Sequence, residues 1–252
     1  MTASFWLIWL LSLTVSSVLG AIVVRRSRER GPLILSVLLA IYVVAANILV
    51  PRLVTVKLGW SFVLVTGSII WPFIAQLTDM LNEIYGKRTT LWAAALAYMA
   101  NFMFVIFVGL AMQTTPIWEA PQEQWFRMFF GMAWRPALAS LCSYTAANWA
   151  DISLFAWMKK RRFAEEEGSV RQYTGLGEII RFTSMRSIIS DALIMVIDNI
   201  VFYTIAFYGL MPNSVLLGLI GSSMLAKVIL SQIDLPFFWL FRWMTREVKR
   251  DL

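Results

Sequence analysis

The stretch TDMLNEIYGKR, residues 78–88, closes an apolar run with two acids, an amide and a basic pair. On a helix Asp79 and Glu83 lie one turn apart on one face, with Asn82 on a neighbouring edge. Glu83 also precedes Lys87 by four residues, which predicts an ion pair along the helix near the membrane surface. Other polar residues recur inside apolar sequence. In CSYTAANWADISLF, Tyr144, Asn148, Asp151 and Phe155 make one stripe: phenol, amide, carboxylate and ring. In RSIISDALIMVIDNIVFYTIAF, Asp191 and Asp198 share a face, and Asn199 follows. In LAKVILSQIDLPFFW, Lys227 and Asp234 share a face, Ser231 lies between them, and Pro236 predicts a kink. Asn47 lies deep in VVAANILVP, and Arg135 opens RPALAS as an outer gate or a snorkelling anchor. Carboxylates accept hydrogen bonds and suit a ligand edge rich in N–H donors, while amides both donate and accept. Lys227 is the base expected to neutralise an acid from another helix.

An ionisable side chain at mid-bilayer costs about 2.5–3.5 kcal/mol, so such residues face a cavity, pair with one another, or work. Several spans contributing them predict a polar cavity inside a helical bundle. The chain must then supply the helices. It is 59% hydrophobic and only 15% charged, against about half and a quarter for soluble domains. Mean hydropathy is +0.69. The apolar residues fall in blocks long enough to cross a hydrocarbon core of about 30 Å.

These blocks predict an all-α, polytopic membrane bundle of seven spans: 3–24, 33–51, 60–82, 90–112, 135–158, 188–209 and 214–242. They are read as one transmembrane domain, 1–252. Basic connections (RRSRER at 25–30, GKR at 86–88, the 159–187 loop and TREVKR at 245–250) alternate with connections poor in charge. The positive-inside rule then puts the N-terminus outside and the C-terminus in the cytoplasm. Trp60, Trp92, Trp118, Trp125, Trp134, Trp157 and Trp243 fall near span ends or in outer loops, as an aromatic belt would.

The same composition excludes several chemistries. There is no His, hence no His-based metal site, triad or proton relay. No Gly-rich phosphate loop occurs, so an ATP-hydrolysing subunit would be another chain. The net charge of +7 sits in cytoplasmic connections and gives no reason to expect nucleic acid. Buried Asp residues raise the idea of an aspartyl protease dyad, but no GxGD-type sequence is present. The reading is a non-enzyme with no catalytic residue, metal or cofactor. A basic run follows the first apolar block instead of preceding it, so that block reads as a span and not a secretory signal.

TDMLNEIYGKR resembles the signature of the queuosine precursor transporter family, also called the vitamin-uptake-like family. AANILVP, RPALASLCSYTAANWADISLF, RSIIS with DNIVFYTIAFYG, and KVILSQIDLP resemble it in the same order, over roughly residues 33–243. Two features depart from the pattern: Asn148 stands where many relatives have Gln, and the span at 3–24 is additional to a six-helix core. The resemblance implies a fold like that of the substrate-binding subunits of energy-coupling-factor transporters. It implies uptake, across the cytoplasmic (inner) cell membrane, of 7-deazaguanine bases: 7-cyano-7-deazaguanine and its aminomethyl relative, salvaged for tRNA modification. On that basis Asp79, Asp151 and Asp198 are the expected acceptors, Asn47 and Asn148 orienting amides, and Trp71 or Phe202 the stacking surface. Asn82, Tyr144 and Asn199 complete the expected substrate-binding set. Glu83, Arg135, Lys227 and Asp234 form the expected ion-pairing and coupling set. Asp79 is expected to receive the base while Glu83 and Lys87 tie the helix end. The expected partners are the base and the bilayer, with a second copy or an energising ATPase left open. Another planar heterocycle or vitamin is the alternative cargo.

Overall fold

A computed structural model describes residues 3–58, 60–117, 120–131, 133–147 and 195–248. Asn148, Asp151, Phe155, Asp191 and the 159–187 loop lie outside the described residues. Helix α1 runs Ala3–Arg26 and ends on Arg25 and Arg26, cations placed where the helix dipole favours them. Helix α2, Gly31–Ile48, starts with a proline in its first turn, where the missing N–H removes no helical bond. Its buried positions Leu35, Leu39 and Val43 recur every four residues and form one core with Leu77, Met80, Leu81 and Ile84 and with Phe238 and Phe241. Gly31 is needed at the entry to α2 because a Cβ there would collide with the Tyr85 hydroxyl.

The chain is not wholly helical. The stretch expected as a connection at 52–59 followed by a span from residue 60 is instead an antiparallel ribbon. Strand β1, Leu53–Leu58, pairs with β2, Trp60–Val65, in the register Val54↔Leu64 and Val56↔Phe62. Val56, Phe62 and Leu64 are buried while Thr55, Lys57, Ser61 and Val63 are exposed. That period of two is the signature of a strand with one packed face. Summed apolarity is blind to period, which is why the stretch reads as a span. The buried face packs on Ala226, and the Val63 N–H donates to Ser222 Oγ at 2.6 Å.

After a single 3-10 turn, Thr66–Ile69, helix α3 runs Trp71–Ala111. It is two helices joined across a kink, corresponding in order to the expected third and fourth spans. Its one non-helical residue is Gly86, at φ 78° and ψ 170°, a region that glycine alone enters readily. The basic GKR turn expected between two spans is therefore reduced to a one-residue break between two arms. The expected outer connection 113–134 holds helix α4, Ala120–Phe130, where Arg127 pairs with Glu123. Helix α5 is described over 134–147 and α6 over Met195–Phe207. Helix α7, Asn213–Met244, continues through Pro236.

Among the described residues, four helices are long and apolar enough to cross a membrane: Ser4–Arg26, Gly31–Ile48, Trp71–Ala111 and Asn213–Met244. The chain is mostly helical and is a membrane protein.

Candidate functional site

Helices α3, α6 and α7 bring four of the expected residues together. Lys227 Nζ donates to Asp198 Oδ2 at 2.9 Å, and both residues are buried. The ammonium also lies 4.8 Å from the Trp71 ring centroid and 5.9 Å from that of Phe202. The two rings give the cation a polarisable wall. Sequence spacing explains the convergence. Asp198 and Phe202 stand one turn apart on α6, Lys227 projects from mid-α7, and Trp71 is the first residue of α3.

Among the described residues, one polar atom of Trp71 and one of Asn199, the residue after Asp198, have no hydrogen-bond partner. Asn199 Nδ2 donates to the Met195 carbonyl at 2.7 Å, which leaves Asn199 Oδ1 buried and unpaired. Trp71 Nε1 is likewise buried and unpaired. One orphan accepts and the other donates. Buried polar groups are satisfied in the great majority of native structures, so such a pair fits a ligand that offers both a donor and an acceptor.

A tyrosine pair borders the cluster. The rings of Tyr98 and Tyr144 lie 4.8 Å apart at 45°. Ser140 and Asp198 are polar neighbours of Tyr98 besides Tyr144. Asn101, one turn further along α3, buries an unpaired Oδ1. Tyr98, Asn101 and Ser140 escape a reading that follows charge. The available signal was weaker: a phenol and an amide three apart inside YMANF.

The remaining expected residues sit elsewhere. Asn47 is buried near the end of α2, and its Nδ2 donates to the Val43 carbonyl at 3.1 Å. Asp79 and Asn82 are exposed on α3, whose buried positions in that arm include Gln76, Met80 and Ile84. Glu83 pairs with Arg242 of α7 and not with the expected Lys87, which is exposed. A guanidinium brought to the carboxylate by helix packing wins over a flexible lysine on the same helix because it arrives already desolvated, as Arg242 is buried. Arg135 pairs with no carboxylate among the described residues. Its Nη2 donates to the Tyr208 carbonyl at 2.8 Å, just beyond α6, where a cation satisfies orphan carbonyls and the dipole together. Lys227 does not bond Asp234, two turns away on its own helix. Asp234 Oδ1 accepts instead from Gln76 Nε2 of α3 at 3.2 Å, and the same nitrogen reaches Ser17 Oγ of α1 at 2.8 Å.

A family model described as "Putative vitamin uptake transporter" matches residues 65–241. The chain belongs to this vitamin uptake transporter family. It is also 26% identical over 198 residues to a protein of Bacillus subtilis (strain 168) described as "Probable queuosine precursor transporter", with 77% of each chain covered. No solved structure matches it. The family match takes in the Lys227–Asp198 pair, both rings and the tyrosine pair. Helix α1, with Ser17, and Asn47 lie outside it.

Proposed function

We propose that the chain is a carrier importing a 7-deazaguanine base, such as 7-cyano-7-deazaguanine or its aminomethyl relative, for tRNA modification. The observation that carries this reading is the buried Lys227–Asp198 pair beside the rings of Trp71 and Phe202, with the orphan donor Trp71 Nε1 on one of those rings. A deazaguanine carries a ring N–H and an exocyclic NH2 on one edge, which a carboxylate accepts as a fork. Its carbonyl oxygen lies beside them and accepts a hydrogen bond from the Lys227 ammonium. The base thus slots between acid and cation and gives each a hydrogen-bond partner. Its flat face stacks on the aromatic side chains. Asp79, Asn82, Tyr144, Asn148 and Asp151 are assigned to the path or the remaining rim of the same site.

The architecture that serves this is seven spans with the N-terminus outside, in the cytoplasmic membrane, alternately exposing the site to each side. The test is calorimetric binding of 7-cyano-7-deazaguanine to purified protein, wild type beside Asp198→Asn. A charge-assisted contact contributes about 1.5–3 kcal/mol, so the variant should bind about 10- to 100-fold more weakly. Wild-type protein that ignores the base but binds a vitamin heterocycle would keep the family and replace the cargo.

A further inference from the structure

A second buried polar centre lies apart from the Lys227 cluster, where α1, α3 and α7 meet. Asp234, Gln76 and Ser17 are all buried. Gln76 Nε2 donates to Asp234 Oδ1 and to Ser17 Oγ, while Gln76 Oε1 is buried with no partner. No cation answers Asp234 among the described residues. Lys227, two turns before it on α7, is held by Asp198, and Arg242, two turns after it, is held by Glu83. On α3 the charged groups following Gln76 are Asp79, Lys87 and Arg88, which are exposed, and Glu83, which is held by Arg242. On α1 no ionisable side chain occurs before Arg25. The 3-10 turn Thr66–Ile69 carries none. The ribbon carries only Lys57, which is exposed.

Two defects therefore stand side by side: a buried carboxylate without a counter-ion and a buried amide oxygen without a donor. Each is costly alone. One proton removes both. With Oδ2 protonated, Asp234 and the Gln76 amide form a cyclic acid–amide pair, Nε2–H to Oδ1 and Oδ2–H to Oε1. Without the proton, Gln76 Oε1 has no donor and Asp234 has no counter-ion among the described residues. We propose that Asp234, paired with Gln76 and roofed by Ser17 of α1, is a proton-binding site loaded from one side of the membrane and unloaded to the other in each transport cycle. A proton from water joins Oδ2 and later leaves to water on the opposite side, with no change of oxidation state. Helix α1 acquires a role in this scheme. Its stripe Leu13, Ser17, Ala21 and Val24 is buried, and Ser17 reaches the centre through Gln76. The coupling half of the proposal rests on the carrier reading above; the proton on Asp234 does not.

Two measurements on the full chain separate them. The first is infrared difference spectroscopy of the protein in nanodiscs across a pH titration, with no base present. A carboxylic acid C=O band that titrates in wild type and is missing in Asp234→Asn supports the site. Identical wild-type and variant spectra overturn it. The second uses proteoliposomes and radiolabelled 7-cyano-7-deazaguanine. In sodium-free medium, wild type should accumulate the base about tenfold per unit of inward pH gradient, at one proton per base. Asp234→Asn, which copies the neutral acid in shape, should still exchange base across the membrane without a gradient but lose the pH-driven accumulation. Asp234→Glu should recover part of it. Accumulation that survives in Asp234→Asn, or that needs sodium, overturns the coupling. Failure of wild type to exchange the base at all sinks the proposed cargo, and the infrared result still decides the proton.

Discussion

Lys227 and Asp198 hold each other at 2.9 Å in a buried site walled by Trp71 and Phe202. The pair joins α6 to α7 and is compensated only as a pair. Breaking one side strands the other charge, which costs about 3–5 kcal/mol. Thermal unfolding in detergent should therefore show large losses for Lys227→Met and for Asp198→Asn taken singly. The double variant should recover much of that loss, because no uncompensated charge remains. Additive losses would mean that the two residues act independently.

The Glu83–Arg242 contact is the second tie across the bundle, between α3 and α7. Arg242 is buried and Glu83 is partly exposed. Glu83→Gln should destabilise the protein by about 1.5–3 kcal/mol, as for a hydrogen bond to a charged group. Lys87→Ala should change stability by less than about 0.5 kcal/mol, as a surface substitution does. A larger effect at Lys87 than at Glu83 would restore the pairing along the helix that the spacing suggests.

Gly86 divides α3 with φ 78° and ψ 170°. A Cβ in that region is strained by about 1–3 kcal/mol. Gly86→Ala should lower the melting temperature and shift the angle between the two arms. The shift is readable as a changed spin-label distance between positions on either side of the break. An unchanged distance with unchanged stability would show that the break is not set by the backbone at this position.

The ribbon makes a test of register. Val56 and Thr55 are neighbours, but Val56 is buried on Ala226 and Thr55 is exposed. A charge buried without a partner is penalised heavily. Val56→Lys should cripple folding and expression, while Thr55→Lys should be tolerated. Equal damage at both positions would favour a helix over 53–65.

Much of this protein can be read from residue types alone. Apolar blocks of membrane length, the rarity of charge inside them and the placement of Arg and Lys all point to a helical membrane protein. Spacing along one helix is equally local, so Asp198, Asn199 and Phe202 can be grouped without coordinates. The order of polar motifs carries the family. Tertiary structure decided everything that depends on which helix meets which. Lys227 has acids available on several elements, and only packing selects Asp198 over Asp234. Glu83 takes Arg242, distant in sequence, over Lys87 one turn away. Gln76 and Ser17 look like ordinary polar residues until α1, α3 and α7 close around Asp234. The ribbon at 53–65 was missed because apolar content adds up the same way in a strand and a helix. The alternation of Val54, Thr55, Val56, Lys57 and Leu58 tells them apart, a period that summed apolarity does not register.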